Sequence, residues 1–117
     1  MFANTLTLTI NAVAKVLTRV NQDNFGSFYK FADGVEAITM QIRHTTDTVK
    51  GGVSINRHNV YVERTVFATP TTTEKYWSMT ATLRDRVGSD PTVLLQSWVG
   101  FSTLLATLDD GLVVGEN

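Results

Sequence analysis

The fold is decided by the stretch KYWSMTATLRDRVGSDP, residues 75–91. In its first part, polar residues alternate with Trp77, Met79 and Leu83, which is the period-two pattern of a β-strand with one buried face. Its last part, Ser-Asp-Pro at 89–91, is typical of a helix start, because aspartate is a favoured N-cap and proline suits the first helical position. The stretch therefore predicts a strand that is followed closely by a helix.

Period-two patterns before residue 75 predict further strands. The turn signal Asp33-Gly34 separates two of them. The last one changes phase between Ile55 and Val60, which predicts a β-bulge at 57–59. The predicted segments are a hairpin of 5–10 and 13–19 and single strands at 25–31, 35–45 and 53–67.

Apolar side chains recur at steps of three and four residues after Asp90 and predict one amphipathic helix over 90–110. Gly111 is expected to end this helix as its C-cap. The elements together predict a single α+β domain over 1–117. It consists of an N-terminal β-hairpin (1–20), an antiparallel sheet of about five strands (25–87), a C-terminal helix (90–110) and a tail (111–117).

The composition is that of a folded domain, with 43% hydrophobic and 18% charged residues among 117. The chain has no cysteine, which excludes a disulfide framework or a thiolate metal site and fits an intracellular origin. It lacks a basic run before an apolar stretch near residue 1 and any apolar run of about 18 residues, so neither secretion nor a membrane span is expected. Because the net charge is −1, any nucleic-acid binding must be local to one face.

The predicted sheet is wider than the predicted helix. Five strands span about 20–25 Å, whereas one helix with its side chains covers about 10–12 Å. We therefore expect the helix of a second copy to complete the cover, in a homodimer. A monomer whose hairpin folds over the whole apolar face is the alternative that geometry leaves open. The expected interface residues are Leu94, Trp98, Phe101 and Leu105.

Three motifs resemble the coat proteins of levivirus-type single-stranded RNA bacteriophages: TMQIR at 39–43, VYVE at 60–63, and YWSMTATL at 76–83 with Ser-Asp after it. The resemblance covers nearly the whole chain. It implies the coat protein fold, an interlocked dimer with a continuous ten-stranded sheet, and an icosahedral shell with the open face of the sheet inside. The loop at 68–74 is then expected near the symmetry axes of the shell.

The same resemblance implies the partners and the location. The partners are other coat subunits, single-stranded genomic RNA and a maturation protein. The protein is expected in the virion after assembly in the cytoplasm of a bacterial host. Binding of an RNA hairpin would also make it a translational repressor.

The alternation places hydrogen-bonding side chains opposite the apolar face, and they suit single-stranded RNA, which is bound by aromatic stacking and small polar groups. On composition alone, an ordinary solvated face is the other interpretation. By the resemblance, Tyr76 is the ring that stacks on an RNA base, while Thr39 and Arg43 belong to an adenine pocket and its flank. Gln41 and Tyr61 replace a usual serine and lysine. The expected RNA-binding residues are Thr39, Gln41, Arg43, Asn59, Tyr61, Tyr76 and Ser78.

We predict no catalytic site, metal or cofactor. His44 and His58 are the only histidines, and no serine or carboxylate motif accompanies either of them. A small dimeric α+β ligand-binding or enzyme-like domain is the alternative function. It requires ionisable groups on the helix-facing side of the sheet, where the sequence pattern shows only Arg64.

Overall fold

The computed structural model describes residues 2–49 and 51–115. The strands run in sequence order across one sheet, and every neighbouring pair is antiparallel. The predicted hairpin is part of this sheet, because β2 extends to Asp23 and pairs with the next strand. The elements are β1 (Thr5–Ile10), β2 (Val13–Asp23), β3 (Gly26–Ala32), β4 (Glu36–Val49), β5 (Val53–Val66), β6 (Lys75–Arg86), α1 (Pro91–Thr107) and α2 (Asp109–Val114).

The bulge predicted at 57–59 is wrong. β4 and β5 pair along their whole length without a shift of register. Ile55 instead lies on the face opposite to that of Val60. Its paired residues there are Asp47 of β4 and Arg86 of β6, near the ends of these strands. The irregularity in the sheet lies between Arg19 and Asn21 of β2, where that strand bends.

A small core forms where the β1–β2 hairpin curls over β3 and β4. Its buried side chains are Leu17, Tyr29, Ile38 and Ile42, and the apolar side chains of β1 pack against them. The Tyr29 hydroxyl donates a hydrogen bond to the Ala3 carbonyl oxygen at 2.8 Å and so ties the hairpin to β3. We call this side of the sheet the apolar face; it continues through Val60 and Val62 to Trp77 and Met79.

The predicted helix start is confirmed, but the predicted helix end is not. Asp90 caps α1, and its Oδ1 accepts a hydrogen bond from the Thr92 amide at 2.9 Å. The chain then continues into α2, so Gly111 lies inside a helix. Gly115 has the left-handed φ of 80° that favours glycine and is the actual C-cap. Residues 111–115 are therefore not an irregular tail, and residues 116–117 lie outside the described part.

α1 has no buried residue and no extensive contact with any described strand. Phe101 is 52% exposed, and neighbouring leucines and valines on α1 are exposed as well. The apolar face is open along the edge strand β6, since Trp77 is 46% and Met79 56% exposed. A single subunit thus leaves both its helix and the β6 side of its apolar face uncovered. Neither described helix is long and apolar enough to cross a membrane.

Candidate nucleic-acid interface

The structure places all seven expected RNA-binding residues on one side of β4, β5 and β6. Cross-strand partners share a face, and the register pairs Gln41 with Tyr61 and Arg43 with Asn59. We call this side the polar face. Its expected RNA-binding residues are Thr39, Gln41, Arg43, Asn59, Tyr61, Tyr76 and Ser78.

Two tyrosines and a glutamate form one hydrogen-bonded group on the polar face. The Tyr61 hydroxyl donates to Glu63 Oε1 at 2.6 Å and lies 3.2 Å from the Tyr76 hydroxyl. The bond to Glu63 is the main reason that the pKa of Tyr61 is well above its usual value, so this hydroxyl stays protonated. The Tyr76 side chain remains accessible, because the residue is 57% exposed.

Asn59 lies at the centre of a second polar group. Its Nδ2 donates to Thr80 Oγ1 at 2.9 Å and to Thr82 Oγ1 at 2.8 Å, which connects β5 to β6 through side chains. Nearby, Arg43 Nη1 lies 3.2 Å from Asp23 Oδ2 in a solvent-exposed ion pair. Such pairs contribute little to stability, so this guanidinium can exchange its partner at small cost.

Charge is distributed unevenly over the molecule. Most of the other carboxylates lie in turns or on the helices, for example Asp33, Glu74 and Asp109. The polar face is therefore basic, although the chain has a net charge of −1. It carries Lys30, Arg43, Arg57, Arg84 and Arg86 against Asp23, Asp47 and Glu63.

The apolar face contains a buried ion cluster, which corrects the expectation that Arg64 is its one ionisable exception. Glu36 is 2% exposed; its Oε1 lies 2.7 Å from Lys15 Nζ and its Oε2 lies 2.6 Å from Arg64 Nη2. Lys15 is the main cause of the lowered pKa of this carboxyl group. The sequence pattern missed Glu36 because it follows a turn signal, where a solvated carboxylate is the usual case.

A histidine pair lies farther along the apolar face. Nδ1 of His44 is 2.9 Å from Nδ1 of His58, so one ring must donate and the other accept. His58 Nε2 is 3.4 Å from Asp85 Oδ1. Desolvation, followed by the neighbouring His58, lowers the pKa of His44. Among the described residues, no group of three or more potential ligands is arranged to hold a metal ion.

The lowered pKa of His44 predicts a pH effect on folding. At His44 the unfolded chain binds a proton more tightly than the folded chain does. The contribution of neutral His44 to stability is therefore fully present above a pH of about 6.5 and is lost as the pH falls through the folded-state pKa. We expect the urea midpoint to decrease from pH 7.5 to pH 5.5. The His44→Gln variant should lose part of this decrease, because glutamine does not titrate. An equal decrease in both proteins would contradict the assignment.

The four expected dimer-interface residues lie on α1, away from the apolar face of their own subunit. The rings of Trp98 and Phe101 are 6.3 Å apart and pack against each other. Leu94 and Trp98 are half-buried, whereas Phe101 and Leu105 are exposed. The apolar residues of α1 thus form a surface without a described partner in the same subunit.

Comparison with known proteins gives one family and several similar folds. The family model of the phage phiCb5 coat protein matches residues 3–86, which span the six strands and leave out both helices. No curated protein has a significantly similar sequence.

The fold is similar to two solved viral structures. The coat protein of bacteriophage EMS014 is 18% identical, with a TM-score of 0.62 over 87% of this chain and 72% of that one. A virus-like particle of Beihai levi-like virus 21 is 17% identical, with a TM-score of 0.61 over 95% of this chain and 96% of that one.

Proposed function

Because this chain belongs to the phage phiCb5 coat protein family, it is a structural subunit of a phage capsid, and we propose that it acts there as a homodimer that holds single-stranded RNA on its polar face. The family and the coat protein fold were both predicted from the sequence, and the comparisons confirm them. A structural role, rather than an enzyme-like one, agrees with this family.

The helix α1 carries the proposal of a dimer. Large exposed apolar patches usually mark an interaction surface, and here a long apolar helix and part of an apolar sheet face are exposed at the same time. If α1 lies across the apolar face of a second subunit, the same contact covers Phe101 on one chain and Trp77 and Met79 on the other. The alternative of a monomer covered by its own hairpin is not supported, since Trp77 and Met79 of β6 stay exposed with the hairpin in place.

The edge strand β6 supports a continuous sheet across the dimer. No described strand pairs with its outer side, so its unpaired backbone groups can accept a second β6. Each subunit then contributes β3, β4, β5, β6 and the part of β2 beyond the bend at Arg19–Asn21. Two subunits supply the ten-stranded sheet that the family resemblance implies.

The polar face supports the proposal of RNA binding. It combines an exposed aromatic side chain at Tyr76, hydroxyl and amide groups on β5 and β6, and an excess of basic residues. These groups are suited to base stacking, base-edge recognition and phosphate contact. From the resemblance, we extend the proposal to an operator hairpin with translational repression, an icosahedral shell, a maturation protein as partner, and assembly in the host cytoplasm.

Replacement of Tyr76 with alanine tests the RNA site. Stacking on an aromatic ring is worth about 1–3 kcal/mol per base, so we expect single-stranded RNA to bind about 5- to 160-fold more weakly. Tyr76→Phe is the matched control: it keeps the ring and should retain most of the affinity. Filter binding with the phage RNA and with short oligonucleotides measures both. Unchanged affinity in Tyr76→Ala and in Arg43→Ala would contradict RNA binding at these two residues.

A further inference from the structure

Three arginines form a patch at one end of the polar face. Arg57 of β5 pairs directly with Arg84 of β6, and the next polar-face position of β6 is Arg86. Side chains at directly paired positions have Cβ atoms about 4.5–5.5 Å apart, so the register of the sheet makes two arginine side chains start from neighbouring points. We call Arg57, Arg84 and Arg86 the arginine patch.

No carboxylate neutralises the arginine patch within the described residues. The ion pairs of the described residues all lie outside the patch: they join Lys15 and Arg64 to Glu36, Arg43 to Asp23, and His58 to Asp85. Asp47 shares the face and lies two residues along β4 from Thr45, the direct partner of Arg57, but its carboxylate forms no ion pair with an arginine of the patch in the described part of the chain. Glu63 is six residues from Arg57 on the same strand and accepts its hydrogen bond from Tyr61.

Such an arrangement has a cost for an isolated subunit, because like charges directly across a strand pair repel each other. An anion with several oxygens removes the repulsion and gains charge-assisted hydrogen bonds, which guanidinium groups form with phosphate in particular. We propose that the arginine patch binds the phosphate backbone of single-stranded RNA without regard to its sequence. This inference rests on the proposed RNA-binding function and adds a second contact region to it.

The patch is separate from the region around Tyr76. Arg57 and Arg84 lie eight residues along the strands from the row of Thr65 and Tyr76, which corresponds to about 26 Å at about 3.3 Å per residue. One stretch of RNA therefore contacts Tyr76 through a base and the patch through phosphates several nucleotides away. The two regions have different physical signatures, since stacking depends weakly on salt and phosphate contact depends strongly on it.

The experiment measures RNA affinity against salt concentration for the triple variant R57Q/R84Q/R86Q. For single strands, each phosphate contact contributes a slope of about −0.7 in log K against log salt. The full loss of three contacts lowers the steepness of the slope by about 2 and weakens binding at 0.1 M salt by roughly a hundredfold. Homopolymers of different bases should be affected equally. The triple lysine variant keeps the charge and should retain most of the slope.

Lys75→Gln is the matched control, because it removes a positive charge from the same strand at a position on the opposite face. It should leave the slope nearly unchanged. The triple glutamine variant removes this repulsion, so its unfolding midpoint in urea is expected to be no lower than that of the wild type.

The outcomes separate this inference from the RNA-binding function itself. A slope in the triple glutamine variant equal to the wild-type slope, while Tyr76→Ala still weakens binding, overturns the arginine patch alone. Wild-type binding in both the triple glutamine variant and Tyr76→Ala overturns the polar face as the RNA site. A loss confined to one homopolymer also contradicts the patch, since phosphate contacts do not read bases.

Discussion

Replacing Trp98 with alanine is expected to destroy the dimer and, with it, the folded subunit. Truncation of a tryptophan in a packed core costs about 3–5 kcal/mol, a large share of the about 5–15 kcal/mol that stabilises a small domain. Among the described residues of a single subunit, the only aromatic neighbour of Trp98 is Phe101 on the same helix, so the same change would remove little packing there. A large loss of stability therefore reports contact with a partner subunit.

Equilibrium denaturation in urea at several protein concentrations measures this effect. For a subunit that folds only as a dimer, the midpoint rises with concentration. Leu94→Ala is the matched variant on the same helix, nearer to its start, and should cost less. The dimer proposal fails if the wild-type midpoint is independent of concentration and Trp98→Ala remains a folded monomer.

Replacing Glu36 with glutamine is expected to destabilise the sheet by about 3 kcal/mol, because removal of one partner leaves buried charges without compensation. Lys15 and Arg64 both depend on this carboxylate, and their side chains are only 18% and 26% exposed. The loss is expected at the lower end of the usual range, since both cations retain some contact with water. Urea denaturation at neutral pH measures it.

Asp23→Asn is the control for Glu36→Gln. It breaks the ion pair of Asp23 with Arg43, whose side chains are 53% and 37% exposed, and should cost far less than Glu36→Gln. The ion pairs of Glu36 also lower the pKa of its carboxyl group. The stabilising contribution of the ionised carboxylate is therefore present at neutral pH and is lost as the pH falls below about 4.5 through the folded-state pKa. Equal losses in the two variants would mean that burial adds nothing to the Glu36 cluster.

The elements of the fold were predictable because their signals are local. The period-two alternation identified each strand, and Asp90 with Pro91 marked the start of α1. The predictions were wrong where strand pairing, or a second local signal of the same kind, determined the structure. The phase change at Ile55 suggested a bulge, but fourteen consecutive pairs between β4 and β5 keep the register. Gly111 resembled a C-cap, but Gly115 takes that role four residues later.

The site was predictable in part for the same reason. Alternation fixed the face on which Tyr76 and Arg43 lie, since neighbouring positions on a strand point to opposite sides. Alternation does not show which residues of different strands are neighbours. The Arg57–Arg84 pair depends on the register of β5 against β6, and direct repulsion between like charges would argue against that register in a prediction from sequence. The buried Glu36 likewise becomes visible only once Lys15 is brought next to it by the hairpin.

The order of the strands has a consequence for synthesis. Every strand pairs only with its neighbours in sequence, so the sheet can form strand by strand as the polypeptide leaves the ribosome. α1 emerges after β6 and finds no place on the sheet that precedes it. Until another subunit arrives, its apolar residues are open to non-specific association. If the partner is a second copy, as proposed, ribosomes that translate one message close together shorten this interval, because each newly made subunit then meets an identical one nearby.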